Sequence, residues 1–232
     1  MVRPRGGNVV QGMTRLPIQD ARRHDGSALA ELVGANGTAV HPHAAALAAT
    51  GRRDDPRQLA DAVHYLCMLH GRHPGVIDNS AGHVVHTAAR GWIVAACDAF
   101  ANERAVLARL VGVVGPLPST PGQAQAEAAI GTQRHALDML SQSDRAGCAA
   151  GAALALALDW TGVRAVLAAA AHRCQVDVAA SLLPPAFETI VVAEAIADAP
   201  PLERAMMFGA SQLLAQQRAL WDILQARAEA RG

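Results

Sequence analysis

RAGCAAGAALALALDWTGVRAVLAAAAHR, residues Arg145 to Arg173, is almost wholly apolar and mostly alanine, interrupted only by Asp159, Trp160, Thr161 and Arg164. A helix that is apolar on every side belongs inside something, either a bilayer or a protein core. The uninterrupted apolar run, Ala146 to Leu158, is shorter than the roughly 20 residues a bilayer takes. Extending it carries Asp159 and Arg164 to membrane depth, at a cost of about 3 kcal/mol each. Alanine is the best helix former and is small enough to let neighbouring helices approach closely. The segment is therefore expected to be the central helix of a soluble bundle, with no membrane contact.

The composition agrees. Hydrophobic residues make up 51% of the 232, but aromatics only 3%, which disfavours strands because these draw on aromatic and β-branched residues. The expected fold is all-α, an up-and-down bundle of six or seven helices in a single domain over residues 18–232, behind a draped or disordered arm at 1–17. The 20 basic residues, all arginine, balance 20 acidic ones. Zero net charge argues against general nucleic-acid binding. Cys67, Cys97, Cys148 and Cys174 are scattered singly, without CxxC spacing, so reduced thiols are expected and a disulfide framework is not. The amino terminus has no apolar signal core, and the expected location is cytoplasmic.

Taken in order, a short helix is expected within Ile18–Val33 and a helical turn at Ala44–Thr50. Asp55-Pro56 then starts helix one, which His73-Pro74-Gly75 stops. Helix two is expected from Ala81 to Val114, roughly 50 Å. GPLPSTPG, Gly115 to Gly122, turns the chain into helix three, which runs to about Gln142. After the alanine-rich helix and a loop over Asp177–Pro185 come a helix at Phe187–Ala197 and a last helix at Leu202–Ala228.

Several polar residues fall on apolar stripes at helical spacing. His70 follows Leu59, Val63 and Leu66. Glu103 sits among Trp92, Ala96 and Leu110, with Val85 and Ala89 at the start of that stripe. Gln133 lies between Ile130 and Leu137, and Gln217 and Glu194 interrupt other apolar faces. His64 and His135 point away from their stripes. Counting helical rise from each turn brings Glu103, Gln133 and Asp159 to one level, a candidate buried polar layer. In it Glu103 and Asp159 are the candidate acid/base groups, with Gln133 and Arg164 beside them as candidate ligand-binding or satisfying groups. The same counting places His70 with His73, His83 and His86 at the bundle end, about 25 Å from Glu103. With Asp78 in the intervening loop, these histidines are candidates for holding a transition metal ion. They also suit acid/base work. There is no ExxH, so the ligand pattern of carboxylate-bridged di-iron bundles is missing. Walker-type, GxGxxG, GxSxG, HExxH and CxxCH motifs are absent too.

The segments LHGRHPGVIDNSA (Leu69–Ala81), GPLPSTPG (Gly115–Gly122) and ALALALDW (Ala153–Trp160) resemble an uncharacterised alphaproteobacterial family of all-helical proteins. The resemblance implies an architecture and no mechanism. Three functions are open on the sequence. One is binding of a metal or small-molecule ligand, with or without catalysis, at the histidine end. Another is a regulatory or homo-oligomeric module docking through Leu213, Leu220, Trp221 and Leu224 of the last helix. The last is an acid/base enzyme built on Glu103 and Asp159.

Overall fold

The computed structural model describes residues 27–49, 56–83, 86, 87 and 89–231. The expected arm at 1–17, the first part of the helix expected from Ile18, and residues Asp55 and Val85 lie outside the described residues. Among the described residues the fold is all-α, with nine α-helices and no strand. They are α1 (Ser27–Asn36), α2 (Pro42–Ala48), α3 (Pro56–His70), α4 (Val76–Ala81), α5 (Ala89–Val111), α6 (Gln123–Ser141), α7 (Cys148–Arg173), α8 (Ala186–Ile196) and α9 (Pro200–Glu229). A single 3-10 turn, Thr38–Val40, links α1 to α2.

The helix count exceeds six or seven because short helices occupy what the sequence reads as loops. The clearest case is α4. Gly75 N–H donates to Asp78 Oδ2 at 2.8 Å, so the aspartate three residues on caps the chain immediately after the stop signal. Helix two is therefore not one rod from Ala81. At Ala81, its expected start, α4 ends, and the long helix is α5, which begins at Ala89 and has 23 residues. At the other end, Pro200 and Pro201 do not precede the last helix but form its first turn, where the missing N–H has no helical partner to lose.

The alanine-rich α7 is the axis of the fold, in contact with every other helix and with the 3-10 turn. By length and composition it is apolar enough to cross a bilayer, but 72% of its most apolar window is buried inside the protein. Its most extensive neighbour is α9. The two backbones meet at paired glycines. A Cβ on Gly151 would stand 1.9 Å from the Met206 carbonyl oxygen, and one on Gly209 would stand 2.0 Å from that of Cys148. Leu213, Leu220, Trp221 and Leu224 of α9 are fully buried in the core. The last-helix residues expected to dock on a partner are thus already covered by the chain's own helices.

The end of α9 is locked by charge. Arg227 Nε and Nη2 donate to the two oxygens of Asp61 on α3 at 3.2 and 3.0 Å, and Arg231 donates to the same carboxylate and, at 2.8 Å, to Thr120 Oγ1. The Arg227 guanidinium also lies 4.8 Å above the Tyr65 ring. Nothing in the sequence flags Asp61, because its partner is 166 residues away.

The glycine contact gives a directional test. Gly151→Ala drives a methyl group into backbone and is expected to lower stability by about 3 kcal/mol in chemical denaturation. Gly131→Ala on α6, where a Cβ meets nothing within 4 Å, is expected to raise it by up to about 1 kcal/mol.

Candidate functional site

Asp159, on the middle of α7, is 3% exposed, and no cation touches it among the described residues. Thr38 N–H donates to Oδ1 at 2.6 Å, Thr38 Oγ1 to Oδ2 at 2.7 Å and Gln217 Nε2 to Oδ2 at 3.1 Å. Trp221 Nε1 in turn donates to Thr38 Oγ1 at 3.0 Å, which fixes that hydroxyl as a donor to the carboxylate. The carboxylate thereby ties the 3-10 turn, α7 and α9 together. Burial raises its pKa above the ordinary value, and the three hydrogen bonds oppose the shift.

The network does not end at Gln217. With its Nε2 committed to Asp159, Gln217 presents Oε1 as an acceptor, and His70 Nε2 stands 2.7 Å from it. His70 therefore carries its proton on Nε2 and leaves Nδ1 unprotonated. The ring is wedged edge-on against Trp160 and Phe100, with centroids at 5.4 and 6.5 Å. Burial lowers its pKa to about 4, against a smaller opposing effect of the Gln217 bond, so the imidazole is neutral at physiological pH. Nδ1 has no hydrogen-bond partner among the described residues, and the ring forms part of the wall of a cavity of about 150 Å³. That cavity lies where the end of α3 and the following turn meet α4, α5 and α6, and its polar lining includes Arg72, Arg134, Asp138 and Asn79.

Glu103, the other expected acid/base group, belongs to a separate network. Its Oε2 accepts from Trp160 Nε1 at 2.8 Å and pairs with Arg164 Nε at 3.1 Å, while Ser181 Oγ donates to Oε1 at 2.7 Å. Arg164 also donates to the Ala179 carbonyl. Every oxygen of Glu103 is satisfied, and the effect is to pin the loop after α7 onto α5. A cavity of about 200 Å³ lies beside it, lined by Trp160, Arg164 and Ser181. Gln133 is buried, but its Oε1 has no partner, and no hydrogen bond joins it to either carboxylate. The expected Glu103–Gln133–Asp159 layer is thus two networks on either side of Trp160, with Gln133 outside both.

The four histidines do not gather at one end. Since the chain turns after His70 and α4 packs on α5, α6 and α7, His70 lies against Phe100 and Trp160, not beside His83. The expected separation of about 25 Å from the Glu103 level disappears, because Trp160 packs on His70 and bonds to Glu103. His73 is 70% exposed beside Asp78, at 3.5 Å, and Asp78 is held mainly by Arg104 at 2.8 Å. His83 and His86 share a mostly apolar cavity of about 370 Å³ at the start of α7. Each faces a single carboxylate, Asp144 at 3.8 Å and Asp198 at 4.0 Å. Among the described residues no three His, Cys, Asp or Glu side chains converge as a metal ligand set.

His70 gives a pH signature. Above pH 6.5 the imidazole is neutral in both states. Between 6.5 and about 4 the unfolded chain takes up a proton that the folded chain refuses, so stability falls as pH falls. Asp159, with its raised pKa, works in the opposite sense at the acid end. In chemical denaturation, the stability advantage of the native protein over His70→Phe should shrink by about 3 kcal/mol from pH 7 to pH 4. An advantage constant across that range would show that burial does not hold the His70 pKa down.

No curated protein and no solved structure matches the chain. A match does extend over residues 33–232, which include Thr38, His70, Asp159 and Gln217 and the whole lining of the His70 cavity. On that match, covering all but the first 32 positions, the chain belongs to a family of unknown function, DUF6975.

Proposed function

We propose that this is a small-molecule-binding helical bundle whose ligand carries a carboxylate and occupies the cavity at His70. The observation that carries the reading is the conjunction in one cavity of a neutral histidine with a free acceptor nitrogen and two guanidiniums without partners. Neither Arg72 nor Arg134 has a hydrogen bond or ion pair to its side chain among the described residues. An arginine presents a planar fork of donors that matches a carboxylate. Polar groups that converge on a concave site mark a ligand site; here His70 is buried, Arg134 half-buried and Arg72 exposed. The volume, about 150 Å³, suits a ligand of about six non-hydrogen atoms, since an engineered cavity of that size holds benzene.

His70 is better suited to accepting a hydrogen bond than to removing a proton. Its orientation by Gln217 and Asp159 has the form of a general base held by a third group. A group with a pKa of about 4 is, however, a weak base at neutral pH, well away from the optimum for proton transfer. The arrangement therefore favours binding and orientation of a ligand, with Gln217 and Asp159 as positioning residues. A metal-binding reading at the other end retains His83 and His86, and it needs donors beyond the single carboxylate that each now faces.

The test is a titration of the full-length protein with short-chain carboxylates, with and without hydroxyl and amino substituents, followed by NMR of the His70 ring and the Arg134 guanidinium. A saturable perturbation of both signals is expected from at least one of these ligands. Arg134→Gln, which removes one charge-assisted bond, should weaken that binding about 10- to 100-fold. If neither signal moves at millimolar concentrations of any carboxylate, the reading fails.

A further inference from the structure

We infer that the ligand of the His70 cavity is a small α-amino acid in its zwitterionic form, with the carboxylate facing Arg72 and Arg134 and the ammonium facing Asp138 and Nδ1 of His70. This rests on the reading of the cavity as a carboxylate site and adds the second half of the ligand. Asp138 supplies the argument. It lies on α6 four residues after Arg134, the spacing at which opposite charges on a helix pair across one turn. Yet no ion pair or hydrogen bond engages its carboxylate among the described residues, and both side chains line the same cavity. The cavity thus offers unpaired charge of both signs.

Acceptors line the cavity as well as donors. Asn79 Nδ2 donates to Ser141 Oγ at 3.3 Å, which fixes the amide and leaves Oδ1 to accept. His70 Nδ1 accepts because Nε2 is spent on Gln217. Together with Asp138 and the amide oxygen of Gln142, which also lines the cavity, these are acceptors for the three N–H bonds of an ammonium group. A simple carboxylate supplies no proton to any of them and brings its own negative charge toward Asp138. A phosphate brings more negative charge to the same carboxylate. A simple amine leaves Arg72 and Arg134 unpaired and faces two like charges. A molecule that carries both groups on one carbon meets both kinds of charge within this small volume. The volume that suits about six non-hydrogen atoms matches an amino acid with a small side chain. The depressed basicity of His70 supports the assignment, because a neutral ring does not repel an ammonium.

The deciding experiment is calorimetric titration of the full chain with glycine, L-alanine, L-lactate, propionate and ethylamine. L-alanine or glycine is expected to bind at least about 10-fold more tightly than each of the other three, a difference of one ammonium or one carboxylate contact. Asp138→Asn, at a half-buried position with no partner to lose, should keep the native melting temperature. It should weaken binding of the amino acid about 10-fold while leaving that of L-lactate within about threefold. Lactate or propionate binding as tightly as alanine, and doing so through Arg134, overturns the amino-acid assignment and leaves the carboxylate site standing. Equally tight binding of ethylamine, or an Asp138→Asn protein with unchanged affinity for alanine, also overturns the assignment. Failure of all five to bind overturns both readings.

Discussion

A helix built of alanine has almost no side chain to hold its neighbours away, and the rest of this fold depends on that. Residues 148–157 of α7 are buried without exception, so other helices must cover the segment from all directions. Small side chains let them come close, and at Gly151 and Gly209 the α7 and α9 backbones touch with no room for a methyl group. Close approach multiplies dispersion contacts along the interface, which is how residues of low individual hydrophobicity hold a core together. The same closeness leaves little space for adjustment, so the polar groups within this core must be matched one by one.

The two carboxylates on the central level illustrate two ways of matching. Glu103 is paired with Arg164 and accepts from Trp160 and Ser181, a buried ion pair with its remaining lone pairs occupied. Asp159 has no cation and is satisfied by neutral donors alone, which leaves its pKa raised. Trp160 separates them. Its indole N–H serves Glu103 while its ring faces seal His70. Because Gln217 has one donor and one acceptor end, the Asp159 carboxylate determines which end faces His70, and so determines the tautomer that the cavity meets. A charge on α7 thereby sets the chemistry of a ring on α3 that it does not touch.

The cavity itself arises from connectivity. Helix α3 ends at His70, and the chain must turn through Gly71–Gly75 before Asp78 caps α4. That turn leaves a gap between the end of α3 and the side of α6, and the gap is lined from α6 by Arg134, Leu137 and Asp138. Arginine and aspartate one turn apart would ordinarily pair with each other; here they make no ion pair, and neutral His70 lines the same cavity. The lining thus carries charge of both signs around a small volume.

The sequence by itself determined the class of the fold and its axis. An alanine-rich segment with no polar face has one place in an all-helical chain, and Pro, Gly and turn clusters delimited α3, α6 and α8 closely because they act through local backbone geometry. It also marked some of the polar residues that are buried, though Glu194, on an apolar stripe as well, is exposed and Asp61 gave no signal. His70, Glu103, Gln133, Asp159 and Gln217 all interrupt apolar stripes, and all five are buried. What it left undecided was which of them meet. Heights counted along straight helices with short connections placed His70 with His83 and Glu103 with Gln133, and that count failed because α4 is a separate helix packed on α5, α6 and α7. Thr38 carried no signal at all, since a threonine in a turn is ordinary until a carboxylate 121 residues later accepts its N–H. Periodicity fixes the face a side chain takes on its own helix; its partner on another helix depends on the crossing and offset of the two, and only the tertiary structure decides those.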